Sequence, residues 1–168
     1  MDIVIRRATP GEYDALGEIT ARAYLHDGLL DFGESDAYLG ELRDVARRAA
    51  AAEVLAAVRD GTLLGGVTFV PCPGPMADIA RPGEAEIRML AVAAAARGQG
   101  AGEALVRACV DRARAAGGCR AVVLSTQRTM RAAHRIYERL GFVRTPERDW
   151  KPLPELADIT LLTYELTL

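Results

Sequence analysis

One stretch constrains this chain more than any other. The apolar run Met89-Leu90-Ala91-Val92 is followed by the alanines at 93–96 and then by Arg97-Gly98-Gln99-Gly100-Ala101-Gly102. The apolar run reads as a strand. The residues after the glycines read as a helix over 101–116 that buries Leu105, Val106, Cys109, Val110 and Ala113, and Gly117-Gly118 ends it. A strand that turns on glycines straight into a helix leaves the first-turn N–H groups without partners, at the positive end of the helix dipole. Such a turn is an anion site, and glycines let the backbone approach a phosphate with no side chain between them.

The rest of the pattern builds a sheet around this unit. Ile3-Val4-Ile5 alternates as a first strand. Thr9-Pro10-Gly11-Glu12 has the form of a capping box with proline at the first helical position, and the helix it opens carries Leu16, Ile19 and Ala23 on one face. Residues 24–35 read as a loop. A second helix is predicted from Asp36, burying Tyr38, Leu42, Val45, Ala46 and Ala49. Apolar runs at 54–58 and 63–70 flank Arg59-Asp60-Gly61-Thr62, and Asp-Gly in that setting is a hairpin signal. A Pro/Gly-rich loop (71–83) leads to a third strand of the meander, 84–92. Val122-Val123-Leu124 reads as a strand buried on both faces. A helix over 129–140 and strands at 142–143 and 159–166 complete the order. The expected fold is α/β (α+β): a mixed, mostly antiparallel sheet of about seven strands with helices on both faces, in one domain spanning 1–168.

Composition narrows the function classes. A chain of 168 residues suggests one domain. Its net charge of −2 argues against nucleic acid as a principal partner. No apolar run approaches the ~18 residues of a membrane span, so no membrane partner is expected. Residues 1–7 read as a strand and lack the layout of a secretory leader, so the expected location is the cytoplasm. Cys72, Cys109 and Cys119 are odd in number and form no CxxC pair, which fits reduced thiols and no structural metal.

Spacing separates the anion motifs that share the glycine logic. A P-loop ends in Gly-Lys-Ser/Thr, whereas Gly102 is followed by Glu103 and Ala104. The dinucleotide fingerprint needs glycine at position 103. What remains is R-x-x-G-x-G, and here the chain resembles the GNAT superfamily of N-acetyltransferases. Arg97-Gly98-Gln99-Gly100-Ala101-Gly102 is similar to that family's pyrophosphate-binding motif, and Leu90-Ala91-Val92 to the strand before it. Ala133-His134-Arg135-Ile136-Tyr137-Glu138-Arg139-Leu140-Gly141-Phe142 resembles its A-x-x-x-Y-E-x-x-G-F motif. An ordinary strand-to-helix turn could use the same glycines, but would not explain the second motif.

The resemblance implies a GNAT-like fold and transfer of an acetyl group from acetyl-CoA, a co-substrate, directly to a primary amine on a small molecule or peptide, with no metal. It implies that pantetheine pairs along Leu90, Ala91 and Val92, whose backbone would polarise the thioester carbonyl. It also implies that the pyrophosphate rests on Arg97, Gly98, Gln99, Gly100, Ala101 and Gly102, and that the chain pairs as a homodimer. The other reading is a catalytically silent CoA-binding regulatory or structural module.

Three carboxyl and phenol groups are candidates for the chemistry. Tyr137 matches the family tyrosine that meets the CoA sulfur as acid or anchor, though Ala133, Ile136, Tyr137 and Leu140 also form one helical face and read equally as core. Glu86 matches the position of a family glutamate that serves as base, often through water. Glu84 shares its strand face and is the second candidate. For both, a solvated strand carboxylate is the competing reading, as is an Arg88 partner for Glu86. His134 reads as a surface residue, Cys109 as core, and Cys72 and Cys119 lack a neighbour that would make either a nucleophile. Two departures stand out: Met130 occupies the usual asparagine position, and alanines replace the usual Asp-Pro after the motif strand.

By the same resemblance the acceptor lies between 24–38 and 147–158. Asp27, Asp31, Glu34 and Asp36 make the first of these acidic, which would attract a cationic amine or simply solvate the loop. Trp150 floors a pocket or plugs the core.

Overall fold

Asp60 and Gly61 both take positive φ, 51° and 76°, and this tight turn folds β2 (Glu53–Arg59) back on β3 (Thr62–Val70). The structure, a computed structural model, describes residues 2–26, 30, 33–72, 74–152 and 159–168. Along β2 the side chains alternate between two cores. Leu55 and Ala57 join the cluster around α4 (Ala101–Ala116), whereas Val54 packs with Leu16 and Val45 on the opposite face. Helices therefore cover both sides of the sheet, as the pattern predicts.

Seven strands form that sheet in the order β1-β2-β3-β4-β5-β7-β6. The others are β1 (Val4–Arg7), β4 (Glu84–Val92), β5 (Ala121–Thr126), β6 (Val143–Arg144) and β7 (Leu162–Thr167). Only β4 and β5 run parallel; the remaining pairs are antiparallel. Val122, Val123 and Leu124 are each 1% exposed or less, the two-sided burial expected of that strand.

The feature that shapes the functional end is a bulge in β4. The β3 partners Gly66 and Thr68 face Ala91 and Arg88, so two steps on β3 span three on β4. Met89 absorbs the extra residue at φ 56°, an uncommon conformation for a long side chain. Its effect is to reverse the alternation. Ala85 and Ile87 point to the α4 core, Met89 packs with Leu39 and Leu42 on the other side, and Leu90 and Val92 return to the α4 side. The β4–β5 ladder ends at Ile87–Leu124, so the two parallel strands separate beyond the bulge.

The helices differ from expectation in detail. α1 spans Tyr13–His26, taking in Tyr24, Leu25 and His26 from the expected loop, and its buried stripe is Leu16, Gly17, Thr20 and Ala21. Ile19 and Ala23 flank that stripe, half-buried. The box before it forms: Glu12 accepts the Thr9 N–H at 2.9 Å, although a short 3-10 turn (Pro10–Glu12) precedes the α-helix. The expected second helix is two, α2 (Tyr38–Arg43) and α3 (Val45–Ala51), broken at Asp44, whose carboxylate caps α3. The break rotates the buried face: Leu39, Leu42, Val45 and Arg48 are buried, Ala46 is exposed, and Tyr38 and Ala49 are half-buried. α5 covers Arg131–Arg139. Among the described residues no helix is long and apolar enough to cross a membrane.

Candidate active site

Where β4 and β5 separate, a cleft of about 740 Å³ opens. Glu86, Ile87, Arg88, Met89 and Leu90 line it from β4, and Ser125 and Thr126 from β5. Tyr137 and Met130 also line it, and Tyr24, Tyr38, Trp150 and Leu161 complete its wall. The cleft at this parting is thus lined from both faces of β4, by Glu86 and Met89 from one and by Ile87 and Leu90 from the other.

Glu86 is held by backbone. Its Oε1 accepts the N–H groups of Asp78, Ile79 and Ala80 at 3.0, 2.9 and 2.9 Å. Its Oε2 is buried and has no hydrogen-bond partner, and the residue is 1% exposed. Burial pushes this carboxyl above the ordinary carboxylate range; the Ile79 and Ala80 N–H bonds and Arg88 oppose the rise. Three donors on one oxygen and none on the other fix the group and leave an acceptor for a water or a ligand. The loop supplying those donors reads in sequence only as a Pro/Gly-rich connection. No spacing rule links 78–80 to Glu86.

Glu84 shares the strand face with Glu86, as its spacing predicts, but does not line the cleft. Arg148 grips it with two bonds of 2.9 and 3.1 Å, Arg120 approaches to 3.4 Å, and the Arg81 N–H adds a fourth contact. Burial acts to raise this carboxyl, yet the bonds from Arg148 and Arg81 outweigh it and hold it below its ordinary range. Arg88 pairs with Asp78 at 3.1 Å and donates to the Met76 carbonyl at 2.8 Å. Arg88 is therefore the partner of Asp78 before it is the partner of Glu86.

Tyr137 is 3% exposed. Its ring packs at 5.8 Å from Phe142 and 5.7 Å from Tyr164. Both readings of this residue thus apply to one side chain, a core ring that also reaches the cleft wall. Burial, reinforced by Cys109 and Tyr164, pushes the phenol well above its ordinary range, so it stays protonated at any physiological pH. Glu138, its neighbour in the motif, accepts the Tyr164 hydroxyl at 2.9 Å.

The glycine turn keeps an open approach. Gly98 and Gly100 have φ of 77° and 91°, and a side-chain carbon at either would meet nothing within 4 Å. Gly100 is the N-cap of α4, whose first N–H groups face out of the turn. Arg59 donates to Gln99. Glu103 in the first turn pairs with Arg139 at 3.0 Å, which ties α5 to the start of α4.

Other residues fall as follows. Trp150 lines the cleft and donates its indole N–H to Ser125 at 2.8 Å, settling it as a wall and not a core plug. Met130 also lines the cleft, its sulfur 3.6 Å from the Thr126 hydroxyl. His134 is not a surface residue: it is half-buried, 3.0 Å from the Gln127 carbonyl and stacked near Tyr164. Cys109 is buried in the core. Burial and the neighbouring Cys119 thiol push Cys72 up to about 11, which leaves little thiolate at neutral pH. Of the acidic loop, Glu34 and Asp36 are described, and Asp36 lines the cleft. Asp27, Asp31 and the stretch 153–158 lie outside the described residues. No group of metal-ligating side chains occurs among the described residues.

Known proteins share this fold. The family described as acetyltransferase (GNAT) matches residues 14–142. A ribosomal-protein-alanine N-acetyltransferase from Brucella melitensis is 22% identical, with a TM-score of 0.72 over 98% of this chain and 99% of that one. A PaiA N-acetyltransferase from Thermoplasma acidophilum, solved with coenzyme A, is 16% identical, with a TM-score of 0.73 over all of both chains. A GNAT family acetyltransferase from Brucella melitensis, solved with acetyl-CoA, is 28% identical, with a TM-score of 0.61 over 84% of this chain and 83% of that one. No curated protein matches at a significant level.

Proposed function

The chain belongs to the GNAT acetyltransferase family, and on that premise we propose that it transfers an acetyl group from acetyl-CoA directly to the nitrogen of a primary amine. The observation that carries this reading is one cleft lined jointly by Glu86, Leu90 and Tyr137. Relatives solved with acetyl-CoA and with coenzyme A support the choice of acyl donor.

In this reading the pyrophosphate rests on the turn from Arg97 to Gly102 and the first N–H groups of α4. The pantetheine arm adds to the free edge of β4 along Leu90, Ala91 and Val92, the stretch that the bulge separates from β5. A backbone N–H there polarises the thioester carbonyl. Glu86 is the base, in preference to Glu84. Glu86 lines the cleft and has a buried oxygen without a partner, whereas Glu84 does not line it and both its oxygens are taken by arginines. An alkylammonium has a pKa of ~10.4 and must lose a proton before it can attack. Glu86 accepts that proton, directly or through a water; the nitrogen bonds to the carbonyl carbon, and the carbon–sulfur bond breaks.

Tyr137 meets the departing sulfur. A phenol raised far above a thiol of ~8.5 gives up its proton to a thiolate only uphill, so it acts as a neutral hydrogen-bond donor that anchors the sulfur, and solvent protonates the thiolate afterwards. The cytoplasmic location and homodimeric assembly expected from the sequence accompany this reading; light scattering on the purified protein reads the assembly.

Calorimetric titration with acetyl-CoA, free CoA and ATP tests the donor. Wild type should bind acetyl-CoA, and Gly100→Glu should not. Thiol release in the presence of amines then separates an enzyme from a silent binder. Absence of acetyl-CoA binding to wild type would sink the reading.

A further inference from the structure

The acceptor half of the cleft is built for one kind of amine. Its wall carries three aromatic side chains, Tyr24, Tyr38 and Trp150, the two tyrosine rings 6.3 Å apart and tilted by 58°. Leu30, Ile159 and Leu161 add aliphatic surface. A body excluded from water on several sides by such groups is itself apolar.

The charge around it is acidic: Asp36, Glu41, Asp78 and Glu86 line the cleft against one arginine. Arg88 is the only cation among the described lining residues. Its guanidinium pairs with Asp78 at 3.1 Å and donates to the Met76 carbonyl at 2.8 Å, so both terminal nitrogens are engaged within the protein. Asp36 caps the Tyr38 N–H at 2.9 Å, and Glu41 is exposed at the rim. Glu86, also in the lining, keeps its buried Oε2 without a hydrogen-bond partner. This excess of carboxylates suits an ammonium, and a carboxylate on the acceptor would meet like charge.

We infer that the acceptor is a primary amine with an aromatic, carboxylate-free body, an arylalkylamine rather than an amino acid or a polyamine. This rests on the acetyl-transfer reading above. The ammonium docks at Glu86 between the aromatic walls, which also attract a cation through their ring faces. The dry surroundings lower its pKa toward the neutral form that attacks.

Turnover by wild type of 2-phenylethylamine, phenylalanine, spermidine and a short peptide with a free N-terminus, all with acetyl-CoA, tests this directly. Phenylalanine differs from phenylethylamine only by its carboxylate. The expected kcat/KM for phenylethylamine exceeds that for phenylalanine and for spermidine by about 100-fold. Asp78→Asn, which releases Arg88 from its partner, should narrow the phenylethylamine-to-phenylalanine ratio about tenfold. If acetyl-CoA binds but phenylalanine, spermidine or the peptide is the better acceptor, or none of the four is acetylated, this inference falls and the cofactor assignment stands. If acetyl-CoA itself does not bind, both fall together.

Discussion

Glu86 concentrates two opposing demands in one side chain. The N–H groups of residues 78–80 hold one oxygen in place, while burial lifts the pKa toward the value a base needs near neutrality. Glu86→Gln keeps the shape and an acceptor for those donors but removes the base. The expected loss in kcat is about 100-fold or more, with acetyl-CoA affinity unchanged by calorimetry. In wild type, activity should rise with pH as the carboxyl ionises, above the ordinary glutamate range, and this limb should vanish in the variant. Stability moves the other way. An acid whose pKa is higher folded than unfolded makes the native state bind more protons between the two values, so stability falls as pH rises through that window. At neutral pH Glu86→Gln should therefore melt above wild type, and a lower melting temperature would contradict the burial assigned to this group. Tyr137→Phe separates anchor from acid. The ring contacts to Phe142 and Tyr164 survive, so the melting point should stay within a few degrees. kcat should fall about 10- to 100-fold, the loss of one hydrogen bond to a developing anion, and any alkaline limb of the pH profile should persist. Loss of that limb would instead make Tyr137 the titrating acid.

Among the elements, α4 was the most legible: the predicted helix over 101–116 matches Ala101–Ala116. Its apolar stripe has period 3.6 and glycines punctuate both ends, so local signals suffice. The β2–β3 hairpin was legible for the same reason, through Asp60-Gly61. What could not be read depends on partners distant in sequence. The β4 bulge leaves no mark in the apolar run Met89-Leu90-Ala91-Val92, and only the register against β3 reveals that Met89 changes face. The cradle at 78–80 and the Arg88–Asp78 pair follow from where the 71–83 loop returns over the sheet. The pairing of Glu84 with Arg148 spans 64 residues, so the two glutamates look alike in sequence and differ only in the fold. That difference can be tested. Arg148→Ala leaves a carboxylate that is 1% exposed without its bidentate partner, at a cost of about 3 kcal/mol, or ~6–12 °C in Tm. Because Glu84 is held below its ordinary range when folded, its contribution is present above that range and disappears as pH falls through the folded value. The gap between wild type and Arg148→Ala should thus shrink in acid. A gap of equal size in acid would assign the loss to packing instead of charge.

At the scale of the whole molecule, the proposed acetyl-CoA would bridge three elements that already share one core. Its pyrophosphate would lie on the start of α4, its pantetheine arm on the open edge of β4, and its sulfur beside Tyr137 on α5. The link between α4 and α5 already visible at the surface is the Glu103–Arg139 pair, whose side chains are 29% and 60% exposed, and such exposed pairs contribute little, ~0–1 kcal/mol. A ligand that binds only the native state adds stability by mass action, ~2.7 kcal/mol at 100 times its Kd. For a chain of 168 residues that amounts to a rise of ~5–11 °C in Tm. Gly100→Glu should melt only slightly below wild type without ligand, since a side chain in the left-handed region costs ~1–2 kcal/mol, yet it should show no rise with acetyl-CoA. ATP, which carries phosphates but no pantetheine, should produce a smaller rise in wild type than acetyl-CoA does. Equal rises for the two would mean that α4 alone holds the ligand and that the separated edge of β4 takes no share in binding. The bulge would then be a feature of the sheet with no bearing on catalysis. A larger rise with acetyl-CoA makes the separation of β4 from β5 the structural reason that an acyl group can reach Glu86 and Tyr137 together.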